Sequence, residues 1–318
     1  MPHMQGPTKP VKKPQQHHVW QQYLRSWADA DGAVFCLQNG RVFSTGTAVL
    51  GVGKDFYKIG VLTDADVALI KLMGPNEKHH PALRKTVEEF LGYILMPTML
   101  VRQFPGALKD ASFAEWLDIY YTNAVDDQHT ILERSFIPLL SQSLREDISW
   151  YQNGVDRIAF YTYIAAQNLR TRRVKARTIA RLRERKGLDF SRIWNILAVV
   201  YAFFSGSSMF GDPEMTLTLV RNRTCVPFVT GDQPVTNLDA DGETGPELLS
   251  FFYPLSPLLA LYLSQPGSKD IPAFIDSADT VMELNLRIAR TSHSQVYAAN
   301  AKVLEDLKDH EILGQAAG

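Results

Sequence analysis

The chain has 318 residues, 45% of them hydrophobic, enough to bury a sizeable core without disulfides or a structural metal. Its two cysteines, Cys36 and Cys225, form no CxxC pair, and the N-terminus lacks the charged-then-apolar pattern of a secretory signal, so a reducing cytoplasm is the expected setting. A net charge of −1 conceals a basic segment: residues 170–186 carry nine Lys or Arg and one Glu, against 24 basic and 33 acidic side chains elsewhere.

Residues 1–16, rich in Pro and Lys and without apolar periodicity, read as a disordered tail, with Met1-Pro2-His3-Met4 resembling a vector remnant. His17 to Ala30 reads as a first helix, because Trp20, Tyr23, Leu24 and Trp27 recur every three or four residues. Ala33–Leu37 and Val42–Thr45 flank Asn39-Gly40, the signature of a β-hairpin. From Thr63 to about Phe204 the pattern is helical: Asp64–Met73, Pro81–Val101, Ser112–Tyr121, Asp127–Leu144, Asp147–Lys186 with a break, and Phe190–Phe204. Pro97 and Pro105 should kink or end their helices.

The apolar run Ile193–Phe204 contains Asn195 and falls short of the roughly 20 residues of a membrane span, so a core helix is expected and no membrane association. Strands follow at Met215–Val220, Cys225–Thr230, Phe251–Pro254 and Leu258–Leu263. Asp276–Arg290 reads as a helix, Ser294–Ala299 as a last strand and Lys302–Leu313 as a last helix. The expected fold class is α+β, a single domain over 17–318 with a helical middle (about 63–204) and a C-terminal sheet region (about 215–300). If the N-terminal hairpin joins that sheet, residues 17–24 come close to residues 230–235.

Those two stretches carry the strongest motifs. His17-His18-Val19-Trp20-Gln21-Gln22-Tyr23-Leu24 resembles the HYVPQFYL-type signature of an uncharacterised bacterial family of unknown function. Thr230-Gly231-Asp232-Gln233-Pro234-Val235 resembles that family's TSDNPV-type turn. The chain departs from the family at Trp20, where the signature has Pro, and at Gly231 and Gln233, where the turn has Ser and Asn. Gly53-Lys54-Asp55-Phe56-Tyr57 also resembles a family segment, and the resemblance places a family Glu at Glu133 and an Arg-Thr pair at Arg170-Thr171. It implies no chemistry, since the family has no established activity.

Read as chemistry, His17 stands at a helix start, where positive potential keeps an imidazole neutral, fit for a general base or a metal ligand; capping the helix is the plainer role. Asp232 ends a strand, where it contacts a ligand or bonds the backbone two residues on. Glu133 sits in an apolar helical setting and needs a raised pKa or a partner such as Arg170. Together the three would form a catalytic acid/base set or hold a divalent metal such as magnesium. Arg170, Arg173, Arg177 and Arg181 recur at helical spacing, which suits either a solvated face or a phosphate-binding one. Gln21, Gln233 and Asn285 are the further candidate substrate contacts. His79-His80, Asp126, Asp127 and His129 have loose metal-ligand chemistry without zinc spacing, and a helix cap would explain the aspartates.

No GxGxxG, GxxxxGK[ST] or GxSxG occurs, which argues against a Rossmann cofactor, a P-loop and an ordinary serine hydrolase. The leading expectation is a hydrolase acting on nucleic acid, RNA or DNA, with the basic helix engaging phosphates. A setting in antiviral defence or a toxin module suits the family's scattered distribution. The alternatives are a non-enzymatic binding or sensor module in which both motifs are structural, and a hydrolase of a small nucleotide.

Overall fold

A computed structural model describes residues 10–186, 189–240, 247–308 and 310, so the Met1–Met4 stretch lies outside the described residues. Residues 10–16 are no loose tail. Lys13 N donates to Asn123 Oδ1, Asn123 Nδ2 donates to Val11 O, and the buried Gln16 side chain donates to Thr122 O and accepts from Tyr57 N. These bonds hold β1 (Gln15–His17) in place. The expected helix over 17–30 shrinks to α1 (Gln21–Leu24) and a 3₁₀ turn over Arg25–Trp27, because the backbone from Gln15 to His17 pairs instead with Val52–Lys54. Trp20, just ahead of α1, has φ −61°, the angle a proline would fix, so the helix start expected from proline is kept without it.

The hairpin forms as expected: β2 (Ala33–Gln38) and β3 (Arg41–Gly46) pair around Asn39 and Gly40, both at positive φ. After β4 (Val52–Lys54) come α2 (Asp64–Leu72), opened by a Thr63/Asp66 capping box, and α3 (Pro81–Gln103), which passes through Pro97 without ending. α4 (Ala111–Ser143) is one helix where two were expected. Asp126 and Asp127 lie in its interior, and the cap is Asp110. α5 (Gly154–Leu169) ends at Arg170, α6 (Arg172–Lys186) restarts after Thr171, and α7 (Trp194–Gly211) follows. α7 is, among the described residues, the one helix long and apolar enough to cross a membrane by length and composition, and half of it is buried. It packs on α5 through Gly206, where an added Cβ would come within 2.9 Å of the Thr162 backbone.

The C-terminal region adds β5 (Thr216–Asn222), β6 (Thr230–Gly231), β7 (Thr236–Asn237), β8 (Ser250–Pro254), β9 (Leu259–Ser264), β10 (Phe274–Ile275), α8 (Ala278–Thr291), β11 (Gln295–Ala298) and α9 (Ala301–Lys308). The strand expected over Cys225–Thr230 reduces to its last residue, and the last helix ends at Lys308; residues 311–318 lie outside the described residues. Besides the β1-β4 pair, one sheet has the order β10-β5-β9-β8-β7 and a second the order β3-β2-β11-β6.

The second sheet joins the two ends of the chain, with Val296 opposite both Leu37 and Gly231. The fold is α+β, and the hairpin does meet the C-terminal strands. Tyr23 Oη lies 2.7 Å from Thr230 Oγ1 and donates to Pro254 O, so the first motif is tied to the second. Around that contact a core gathers Trp20, Tyr23, Trp27, Phe136, Tyr163 and Tyr253. Burial of each such ring is worth roughly 1.5–3 kcal/mol.

Candidate functional site

The sequence-derived candidates divide among three surroundings. His17, Gln21 and Glu133 line one cleft of about 270 Å³, walled by β1, α1 and α4. Arg173, Arg177 and Gln233 line another of about 320 Å³, between α6 and the segment after β6. Asp232 and Asn285 line neither of these clefts.

In the first cleft, the Nε2 of His17 has no hydrogen-bond partner among the described residues. Its pKa is lowered chiefly by burial, with Arg170 adding to the effect. The four-residue α1 is not the cause that the sequence suggested. His18 is buried against Phe56 with ring centroids 4.9 Å apart, and burial brings its pKa down to about 3.

Glu133 accepts from Arg170 Nη1 at 2.7 Å. Burial pushes the Glu133 carboxyl up, and the guanidinium opposes it. Arg170 is only 2% exposed and also donates to Gln167 Oε1. It does not belong to a phosphate-facing stripe: the helix breaks at Arg170-Thr171, so the three-residue spacing to Arg173 does not put the two on one helical face.

Two residues set aside in the sequence complete the cleft. Asp126 and His129 stand on α4 at positions i and i+3 from Glu133's i+7, a spacing that places all three on one face. Burial is the main cause raising the Asp126 carboxyl, with Lys13 Nζ 3.9 Å away. His129 is fully buried and its pKa lowered well below the ordinary range, first by burial and then by Arg170. The periodicity of Asp126, His129 and Glu133 was the signal available, and it was hidden by reading the aspartates as a cap. Among the described residues, no group of three or more His, Cys, Asp or Glu side chains is placed to hold a metal ion, so the proposed His17/Glu133/Asp232 metal set does not form.

Asp232 has another task. Its two carboxylate oxygens accept from the main-chain N–H groups of His293, Ser294 and Gln295 at 2.6, 2.8 and 3.1 Å and from Ser294 Oγ at 3.0 Å. Buried and saturated with donors, it fixes the entry into β11. Asn285 likewise accepts from Val229 N and donates to Pro227 O, replacing the strand pairing that Pro227 interrupts. Gln233 binds Thr171 Oγ1 and donates to Val235 O, tying the second motif to the joint between α5 and α6.

In the second cleft, Arg173 donates to the carbonyls of Arg290 and Ser292, the latter at 2.9 Å, and so clasps the C-terminal end of α8. Arg177 and Arg181 line this cleft beside an apolar wall of Val174, Val235, Leu249 and Phe251.

Neither the curated proteins nor the solved structures contain a significant match to this chain. Residues 213–302, which include the second motif and leave the first outside, match the family described as protein of unknown function, DUF4238.

Proposed function

We propose that the protein is a hydrolase acting by acid–base catalysis on phosphodiesters of nucleic acid, with the cleft between β1, α1 and α4 as its reaction site. The observation that carries this is the pairing, in one cleft, of a neutral His17 whose Nε2 is unpartnered with a half-buried Asp126 carboxyl of raised pKa. His17 Nε2 takes the proton of the attacking water as its oxygen bonds to phosphorus. The bond from phosphorus to the leaving oxygen breaks, and that oxygen takes the Asp126 proton. Glu133, fixed to Arg170, orders the floor of the cleft, and the exposed Arg25 that lines it offers a cation to the incoming phosphate. The basic helix α6, beyond the buried and ion-paired Arg170, supplies a field that draws a polyanion. The cellular setting we assign is cytoplasmic, in antiviral defence or a toxin module.

His17→Ala and Asp126→Asn should each lower cleavage of labelled RNA or DNA by about a hundredfold or more with unchanged thermal stability. Wild-type protein that cleaves neither, and whose binding to both shows no dependence on salt, would sink the reading in favour of a non-enzymatic module. A second reading, hydrolysis of a small nucleotide, is favoured by the second cleft, whose volume of about 320 Å³ and arginine-plus-apolar lining suit one. A panel of free nucleotides in the same assay separates it.

A further inference from the structure

His129 has no part in the proton transfers above, yet it is the most deeply buried ionisable group lining that cleft. The residue is 3% exposed, its ring centroid lies 4.6 Å from that of Tyr57, and neither Nδ1 nor Nε2 has a hydrogen-bond partner among the described residues. A buried polar group left unpaired is costly, and here both ends of one imidazole are in that condition. A neutral imidazole has one N–H to donate and one lone pair to accept.

Beside the ionisable His17, Arg25, Asp126 and Glu133, part of the lining has the same dual character. Gln15, Gln21 and Gln22 contribute amides, Thr130 a hydroxyl, and Trp20 an apolar wall. Gln21 donates its Nε2 to Thr47 Oγ1 at 3.3 Å. Neutral groups that donate and accept recognise hydroxyls better than they recognise charge, and a ribose 2′-hydroxyl both donates and accepts.

We propose that His129 is the hydroxyl-reading residue of this cleft and that the substrate is RNA rather than DNA, the ribose 2′-hydroxyl pairing with the imidazole. The substrate assignment rests on the hydrolase reading; ribose recognition is testable without it. In an NMR titration of the full chain, AMP should shift the His129 ring ¹⁵N resonances. Deoxy-AMP should bind about tenfold more weakly or worse, because a site built around a hydroxyl rejects an analogue lacking it.

His129→Phe keeps a ring against Tyr57 and removes both nitrogens, so the preference for AMP should vanish in that variant. Equal binding of the two nucleotides, or a preference that survives His129→Phe, overturns the proposal. Should that variant fail to fold, the wild-type His129 resonances decide alone: unmoved by AMP, they overturn it. Cleavage of RNA at least about tenfold faster than DNA of the same sequence supports the substrate assignment, and equal rates overturn it. Discrimination between the nucleotides with no cleavage of any polymer supports ribose recognition and overturns the hydrolase reading.

Discussion

Replacing Asp232 with Ala would strand three partly buried main-chain N–H groups at the head of β11. A fully buried donor left unmatched costs about 1–3 kcal/mol and a partly buried one less, so a total loss of about 1–3 kcal/mol is expected in urea denaturation. Activity per folded molecule should hold. A stable D232A protein without activity would return this carboxylate to the reaction site. The sequence made Asp232 look reactive because a strand-end carboxylate before Gln-Pro is visible locally, whereas its donors lie some sixty residues away, beyond any local pattern. Arg170 misleads in the same way: its spacing to Arg173 fits a helical stripe, and only the break at Thr171 turns it inward to Glu133. Gly231 is the converse case. The TSDNPV-type turn has Ser there, but in this chain the Ser292 hydroxyl fills the space a Cβ would need. The Gly231→Ser substitution should therefore destabilise by about 1–3 kcal/mol, read as a lowered denaturation midpoint; an unchanged midpoint would show that Ser292 moves aside freely.

Elements with their own punctuation were legible: the Asn-Gly hairpin, α3 begun by His80 and Pro81, and β5, β8 and β9 with their β-branched and apolar runs. Elements defined by a partner were not. β1 exists because Gln16 bonds Thr122 and Tyr57, and Pro227 and Val229 are held by the Asn285 amide rather than by a neighbouring strand. The approach of α7 to α5 belongs to this class, since nothing near Gly206 announces Thr162. Gly206→Ala should cost about 1–3 kcal/mol of stability because the clash is with helix backbone rather than a flexible tip. Calorimetry of the variant checks this, and a midpoint equal to the wild type's would mean that the two helices can separate without penalty. The same class explains the site: β1 and α4 form one cleft only after residues 10–16 are strapped to α4 by Asn123, Asp118 and Asp127.

Across the whole molecule, the buried imidazoles make stability depend on pH. His17, His18 and His129 all have folded pKa values below the ordinary 6.5, with burial the leading cause in each. Above pH 6.5 both folded and unfolded chains hold these rings neutral, and their contribution is complete. As pH falls below 6.5, the unfolded chain takes up protons that the folded chain refuses, so stability is lost down to the folded pKa. Asp126, Glu133 and Asp232, raised by burial, act with the opposite sign, because the folded chain then binds more protons than the unfolded one. The total is therefore a poor test, and a difference isolates one ring. For His18 the window runs from 6.5 to about 3, set by burial and by Arg172, Arg170, His17 and His293 around it. Over that window its contribution changes by up to about 5 kcal/mol. His18→Phe keeps a ring on Phe56 and removes the titration, so wild type should lose stability relative to this variant steadily as pH falls from 6.5. Chemical denaturation of both proteins at several pH values gives the difference. A difference that stays flat between pH 6.5 and 4 would mean that the His18 ring is charged or solvated in the folded chain, and the stacked, dry arrangement against Phe56 would have to be abandoned.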